Sequence, residues 1–144
     1  MSVFEEPGLG FLITDIARLL RKVFQRSMVG SELTLAQSRA LVYVARNPGI
    51  RQVELADRLE VQPITLARLI DQLQKLELVE RRPDPNDRRA HKLYPLEKAT
   101  YHLQKIEEVI IEVRKEAFAG LSEEEKQIML KAVNQIKDNL SKSV

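Results

Sequence analysis

The chain has 144 residues, 44% of them hydrophobic and 31% charged, enough for one globular domain that buries roughly two-thirds of its unfolded surface. It contains no cysteine, which excludes disulfides, thiolate metal sites and thiol redox sensing. Its net charge is +2, no apolar run approaches the ~20 residues needed to span a bilayer, and the first residues lack the basic start and apolar core of a signal peptide, so a cytoplasmic location is expected.

Leu12, Ile16, Leu19 and Val23 recur at 4-3-4 spacing and predict a first helix over about 9–29, ended by Gly30-Ser31. Thr34-Leu-Ala-Gln37 is a capping box that opens a second helix reaching about Arg46. Asn47-Pro48-Gly49 stops it. Gln52 to Leu59 is a short third helix. Pro63 fits the first position of a fourth, with Gln62 as a weak cap, and Leu66, Leu69, Ile70, Leu73 and Leu76 form its inward face. Leu78-Val79-Glu80 and Leu93-Tyr94-Pro95 predict two short strands around a long hairpin tip. Pro83 and Pro85 are read as lying outside the paired strands, and Asp and Asn favour turns.

Beyond the hairpin, Ala99, Leu103, Ile106, Ile110, Val113 and Ala117 alternate by four and three. This is a heptad-like seam on a helix of about 23 residues, ended by Gly120. Ser122-Glu-Glu-Glu125 caps a final helix, in which Met129, Val133, Ile136 and Leu140 repeat the spacing. The three long helices, over 9–29 and 97–140, have only a small body to pack against. Leu12, Ile16, Leu19, Leu103, Ile106, Ile110, Val113, Val133, Ile136 and Leu140 are therefore candidates for burial in a second subunit.

Charge is unevenly distributed. Residues 34–96 carry eleven Lys+Arg against eight Asp+Glu, and residues 81–92 alone carry five against two. The hairpin thus accounts for the whole surplus of the middle segment. A localised basic patch of this kind suits a phosphate backbone or a narrow groove. Arg81, Arg88, Arg89, His91 and Lys92 are its candidate contacts. The two short helices before it have the size of a helix-turn-helix. In the second, Gln62, Pro63, Thr65, Arg68 and Gln72 lie at or near the outward, N-terminal end that such a motif presents to base edges. Arg68 is the leading candidate because an arginine fork pairs both acceptors of a guanine. A helix-turn-helix followed directly by a basic hairpin is a winged helix, so the fold class expected is mainly α with a small β-hairpin wing.

The chain resembles the MarR/SlyA family of winged helix-turn-helix transcriptional regulators over about residues 9–140. The resemblance rests on Gln52-Val-Glu-Leu-Ala-Asp-Arg-Leu59, Pro63-Ile-Thr-Leu-Ala-Arg-Leu-Ile-Asp-Gln-Leu73, Leu78-Val-Glu-Arg81 and, most specifically, the wing sequence Asp87-Arg88-Arg89-Ala90. It implies a single MarR-like domain, with a DNA-binding lobe over 34–96 and a dimerisation region over 9–29 and 97–140. It implies that the helix from Pro63 to Leu76 reads the major groove, that Arg89 enters the minor groove and that Asp87 braces the wing tip. The implied partners are a palindromic double-stranded DNA operator and a second copy of the chain. An implied effector is a small aromatic or phenolic compound, whose carboxylate Arg18 and Arg21 would meet. Glu60 and Glu77 stand where family members often have Gly, and Leu96 where a Thr cap is usual. Each departure is expected to disturb a helix end locally.

Enzymatic readings have no support in the sequence. It has no Gly-rich phosphate loop, no nucleophile elbow and no His-Glu-x-x-His pair. His91 and His102 have no cysteine partners, and no cofactor or metal is expected. Two other readings remain open at this level: an architectural, weakly specific DNA-binding protein, and a helical adaptor that keeps the winged fold.

Overall fold

The computed structural model describes Ser2 and residues 8–144. Helix α1 (Leu9–Ser27) leads into α2 (Leu35–Arg46), strand β1 (Ile50–Arg51), α3 (Gln52–Leu59) and α4 (Pro63–Lys75). The hairpin β2 (Val79–Asp84) and β3 (Asp87–Pro95) follows, and then α5 (Ala99–Ala117) and α6 (Glu123–Ser141). The mainly α architecture with a small β wing is as expected. Among the described residues no helix is long and apolar enough to cross a membrane.

The helix ends follow local chemistry. Both capping boxes form: Thr34 with Gln37, and Ser122 with Glu125. Each pair satisfies two amide groups that a helix start otherwise leaves open. Pro63 occupies the first turn of α4 after Gln62, whose side chain makes no cap bond. Glu60 and Glu77 both take positive φ, 54° and 61°, the left-handed conformation that glycine adopts without strain. The cost expected at Glu77 is therefore present, and Glu60 bears the same one. Lys98 pairs with the Glu77 carboxylate and lowers its pKa. Leu96 does not cap α5. The helix starts three residues later, at Ala99, after a turn in which the Ala99 and Thr100 amides donate to Leu96 and Glu97.

The sheet departs from expectation in three ways. A third strand exists: β1 pairs antiparallel with β3, Ile50 opposite Leu93 and Arg51 opposite Lys92, giving the order β1-β3-β2. Two residues carry too little periodicity to announce a strand. The hairpin strands are also longer than expected, and Pro85-Asn86 alone makes the turn. Pro83 lies inside β2, opposite His91, with a register shift at Pro83/Asp84. β2 is an edge strand, where a missing N–H is tolerated. The basic residues thus sit on paired backbone rather than on a long loop. Gly49, at φ 88°, lets the chain enter β1 beneath Tyr94, whose hydroxyl would lie 3.2 Å from a Cβ at this position.

The core is one cluster centred on the lobe formed by α2 to β3. Leu41, Val44, Leu55, Leu66, Ile70, Leu73, Val79 and Leu93 are fully enclosed. Leu66, Ile70 and Leu73 form the inward face of α4 as expected. Leu69 is only half-buried and Leu76 is 49% exposed, because α4 ends at Lys75 and Leu76 occupies its C-cap. The heptad seam of α5 also departs from expectation. Ala99, Ile106 and Val113 are buried and Leu103 packs on the core cluster, so Leu103, Ile106 and Val113 are held within the chain itself. Ile110 is 41% exposed and Ile136 half-buried. By contrast no side chain of α1 or α6 is fully enclosed: Val23, Phe24, Met129 and Ile136 are half-buried, and Phe24 packs on the core cluster. Leu12, Ile16, Leu19, Val133 and Leu140 all remain exposed.

The wing is fixed at its turn by Asp84. This carboxylate is buried, accepts the Asn86 amide at 2.9 Å and lies 2.8 Å from the Arg51 guanidinium of β1. The Asn86 bond lowers its pKa below the ordinary value of 3.8, burial opposes this, and Arg51 and Lys92 lower it further. A carboxylate with a depressed folded pKa contributes stability that is complete above the unfolded pKa and is lost as pH falls through the folded one. Asp84→Asn keeps an acceptor for Asn86 and removes the charge. The variant is expected to melt below the parent at pH 7, with the gap closing as pH drops below the ordinary carboxylate value. Thermal unfolding at pH 7 and pH 3 checks this, and an equal gap at both would show that the Asp84 charge is not what anchors the turn.

Candidate nucleic-acid interface

The turn Glu60-Val61-Gln62 joins α3 to α4. The Glu60 and Val61 amides donate back to Asp57 and Ala56, so α3 is closed before α4 begins. With Leu66, Ile70 and Leu73 held in the core, helical geometry turns the opposite face outward. Gln62, Pro63, Thr65, Arg68 and Gln72 are all exposed there. Gln72 has a partner: the side-chain amide nitrogen of Gln37, in the first turn of α2, donates to its side-chain oxygen at 2.9 Å. Ile64, which was not singled out from the sequence, stands on the same outward face and is 65% exposed.

The wing divides its cations between its two faces, as strand alternation requires. Arg89 and His91 share a face with Asp87, while Arg88 and Lys92 lie on the other. Arg88, Arg89 and His91 are exposed and Lys92 is half-buried. Arg89 and His91 line a cleft of about 300 Å³ together with Pro63 of α4, Val53 of α3 and Arg51. The structure therefore brings two expected wing contacts to the N-terminal end of the expected reading helix, although 26 residues or more of chain separate them. Asp87 accepts the Arg89 amide at 3.0 Å. It orders the first residues of β3, while the buried anchor of the tip is Asp84.

Arg81 departs from its expected place among the DNA contacts. Its side chain is only 18% exposed and lies 2.7 Å from Asp71. Its guanidinium donates to Gln52, to Gln74 and to the Ala67 carbonyl at 2.9, 2.8 and 3.1 Å. Arg81 is thus a strut that joins β2 to α3 and α4. A planar five-donor fork suits this socket, and a lysine could not fill it. Arg82 lies 3.9 Å over the Tyr94 ring and pairs with Glu80. The sequence reading missed Arg51 and Asp84. The only signal available was the Asp-Pro-Asn-Asp turn, which does not name a partner more than 30 residues away.

A second feature lies at the junction of α1, α2, α5 and α6. A cavity of about 720 Å³ is lined by apolar side chains such as Phe24, Val42 and Ile110, and by Arg21, Arg39 and Arg114. The Ser38 hydroxyl lines it too, buried and without a hydrogen-bond partner. Arg18, expected to act with Arg21, does not line this cavity; its guanidinium lies 3.6 Å from Asp15. His102 lies 4.0 Å from Glu32, away from the wing. Among the described residues no cluster of three or more His, Cys, Asp or Glu side chains could hold a metal ion.

Comparisons with known proteins agree with this geometry. A sequence model of the MarR family matches residues 31–90, which span α2 to the middle of the wing. The uncharacterized HTH-type transcriptional regulator YybA of Bacillus subtilis (strain 168) is 32% identical over 130 residues, covering 88% of this chain and 85% of that protein. A crystal structure of MarR superposes with a TM-score of 0.82 at 26% identity, covering 99% of this chain and 96% of that one. A MarR family regulator from Listeria monocytogenes, solved in complex with a 26mer DNA, superposes with a TM-score of 0.78 at 26% identity, covering 94% and 91%. With the helix-turn-helix, the braced wing and a curated relative matched along most of its length, the chain belongs to the MarR family of transcriptional regulators.

Proposed function

We propose that this protein is a homodimeric, sequence-specific repressor that binds double-stranded DNA through α4 in the major groove and the wing at the minor groove. The observation that carries this reading is the convergence on one lobe of two surfaces. One is the exposed face of α4 with Thr65, Arg68 and Gln72. The other is the cationic wing with Arg88, Arg89, His91 and Lys92. Arg81 and Asp84 lock that wing to the helix-turn-helix. The Listeria regulator of the same fold was solved with DNA. Lying across a promoter, such a dimer would exclude polymerase.

The second subunit is argued from α1 and α6. Leu12, Ile16, Leu19, Val133 and Leu140 on these amphipathic helices stay exposed, more apolar surface than scattered exposed residues leave in water. A second copy offering the same surfaces covers it by two-fold symmetry and sets two α4 helices about one DNA turn, ~34 Å, apart. The dimer helices would then be 9–27 and 123–141, with Ile110 and Ile111 among the residues of α5 that remain open. In the double variant Ile16→Asp/Val133→Asp, burying the new carboxylates costs about 3 kcal/mol or more. The dimer is expected to weaken at least about a hundredfold while the lobe stays folded. Sedimentation velocity reads this directly, and an unchanged dimer would remove α1 and α6 from the interface.

The cavity is the proposed effector site. Its volume falls within the range of small-molecule pockets, and its apolar walls with Arg21 suit an aromatic acid. Of the two arginines expected to meet a carboxylate, Arg21 lines this cavity, beside Arg39 and Arg114, and Arg18 does not. A ligand there releases DNA only by preferring a dimer whose α4 spacing does not match the groove.

Fluorescence anisotropy with the DNA upstream of the protein's own gene, in stated salt and with a scrambled duplex as competitor, tests the reading. The parent is expected to resist the scramble. Arg68→Ala is expected to lose about 1–3 kcal/mol and to relax base preference. Arg89→Ala is expected to bind less tightly and to lose its preference for narrow A/T grooves. Salicylate added to the same titration is expected to release the parent and not Arg21→Ala. Equal binding to both duplexes would favour an architectural role. Unaltered binding by both the Arg68 and the Arg89 variants would remove these residues from the interface.

A further inference from the structure

α4 turns its largest apolar residues into the core with one exception near its start. Leu66, Ile70 and Leu73 are fully buried, whereas Ile64 is 65% exposed. Ile64 and Arg68 are four residues apart, so they stand one above the other on the same outward face. The other exposed residues of that face include Thr65, Asp71, Gln72 and Lys75. Such a surface is too polar and too narrow in its apolar part to seat a protein partner, which needs a broader apolar centre. A single large apolar group beside an arginine suits a ligand that offers one small apolar group among polar edges.

Duplex DNA offers such a group. In the major groove the C5-methyl of thymine stands out among hydrogen-bonding edges. Four residues advance α4 by about 6 Å, and successive base pairs are about 3.4 Å apart. We propose that Ile64 is a specificity-determining residue that packs on the C5-methyl of a thymine lying within two base pairs of the guanine held by Arg68. The assignment rests on the reading of α4 as the major-groove helix. It adds an apolar contact to a site otherwise built from hydrogen bonds and charge. Each half-site should therefore couple one thymine to one guanine.

The experiment begins with selection of preferred sequences from a random double-stranded DNA library by the parent protein. Arg68→Ala then identifies the guanine whose replacement no longer matters. Each thymine of the selected duplex is next replaced singly by deoxyuridine, which keeps every hydrogen-bonding edge and removes only the methyl. Parent, Ile64→Ala and Ile64→Val are titrated by anisotropy. Ile64 is exposed, so thermal unfolding of the variants should match the parent.

One thymine within two base pairs of that guanine is expected to show a three- to fivefold loss on replacement with the parent, about the effect of burying one methyl. With Ile64→Ala the loss is expected to vanish, and with Ile64→Val to persist in part. This is a double-mutant cycle across the interface. If every replacement affects parent and Ile64→Ala alike, the assignment is overturned while the regulator reading stands. If the library yields no preferred sequence, both fall.

Discussion

The structure of the DNA-facing lobe depends on where one guanidinium goes. Arg81 leaves β2 and places its donors on Gln52 of α3, on Gln74 and the Ala67 carbonyl of α4, and beside Asp71. Three elements that meet only through packing at their buried faces are thereby joined at a partly exposed edge. The geometry matters because a winged helix works by holding two separate surfaces at a fixed distance. The hydrophobic core orients α4 about its axis through Leu66, Ile70 and Leu73, but apolar contact is non-directional. The fan of directed hydrogen bonds from Arg81 adds the missing constraint on how the wing stands relative to α4. Asp84 and Arg51 supply the same kind of constraint at the far end of β2. A cation inside a basic hairpin is thus structural, and its neighbours at 88, 89 and 92 are left to meet solvent or phosphate.

α5 carries the lobe's position to the rest of the chain. Its first half belongs to the lobe core through Ala99, Leu103 and Ile106. Its second half, with Ile110 and Val113, forms a wall of the cavity between α1 and α2. One rigid helix therefore touches both the body that holds α4 and the pocket proposed for the effector. A ligand bound at the proposed site would act on the lobe through this one helix. The unpartnered Ser38 hydroxyl of α2 and the Arg21 side chain of α1, which line the same cavity, would give a polar ligand something to gain in one arrangement over another. Such differential interaction is the only way a ligand can shift an equilibrium.

What could be read from the sequence was whatever is specified within a few residues. Both capping boxes, the start of α4 at Pro63 and the extent of α3 depend on near neighbours, and all are found as read. The outward face of α4 was legible for the same reason, since its period is local. Strand β1 was not legible, because two residues acquire strand geometry only from Leu93 and Lys92, over 40 positions away. The roles of Arg81 and Asp84 were hidden likewise: a charge count shows that a cation is present but not that its partners lie on another element. The α5 seam shows the limit of periodicity. A 4-3 pattern identifies an apolar stripe but not which body covers it, and here Ile106 faces the chain's own core while Ile110 remains open.

The same separation explains why the protomer looks unfinished at one end only. The lobe encloses most of its own apolar surface, and Leu41, Leu55, Leu66 and Leu93 are fully buried. The α1 and α6 helices cover theirs only in part: Phe24 packs on the core, while Leu12, Ile16, Leu19, Val133 and Leu140 stay exposed. In the proposed dimer, association through α1 and α6 would leave the lobes outside the interface, linked to it through α5 and the cavity beneath it. That arrangement would suit a regulator whose output is the distance between two α4 helices. A change of a few ångströms at the cavity would then alter the match to one turn of DNA without unfolding either part.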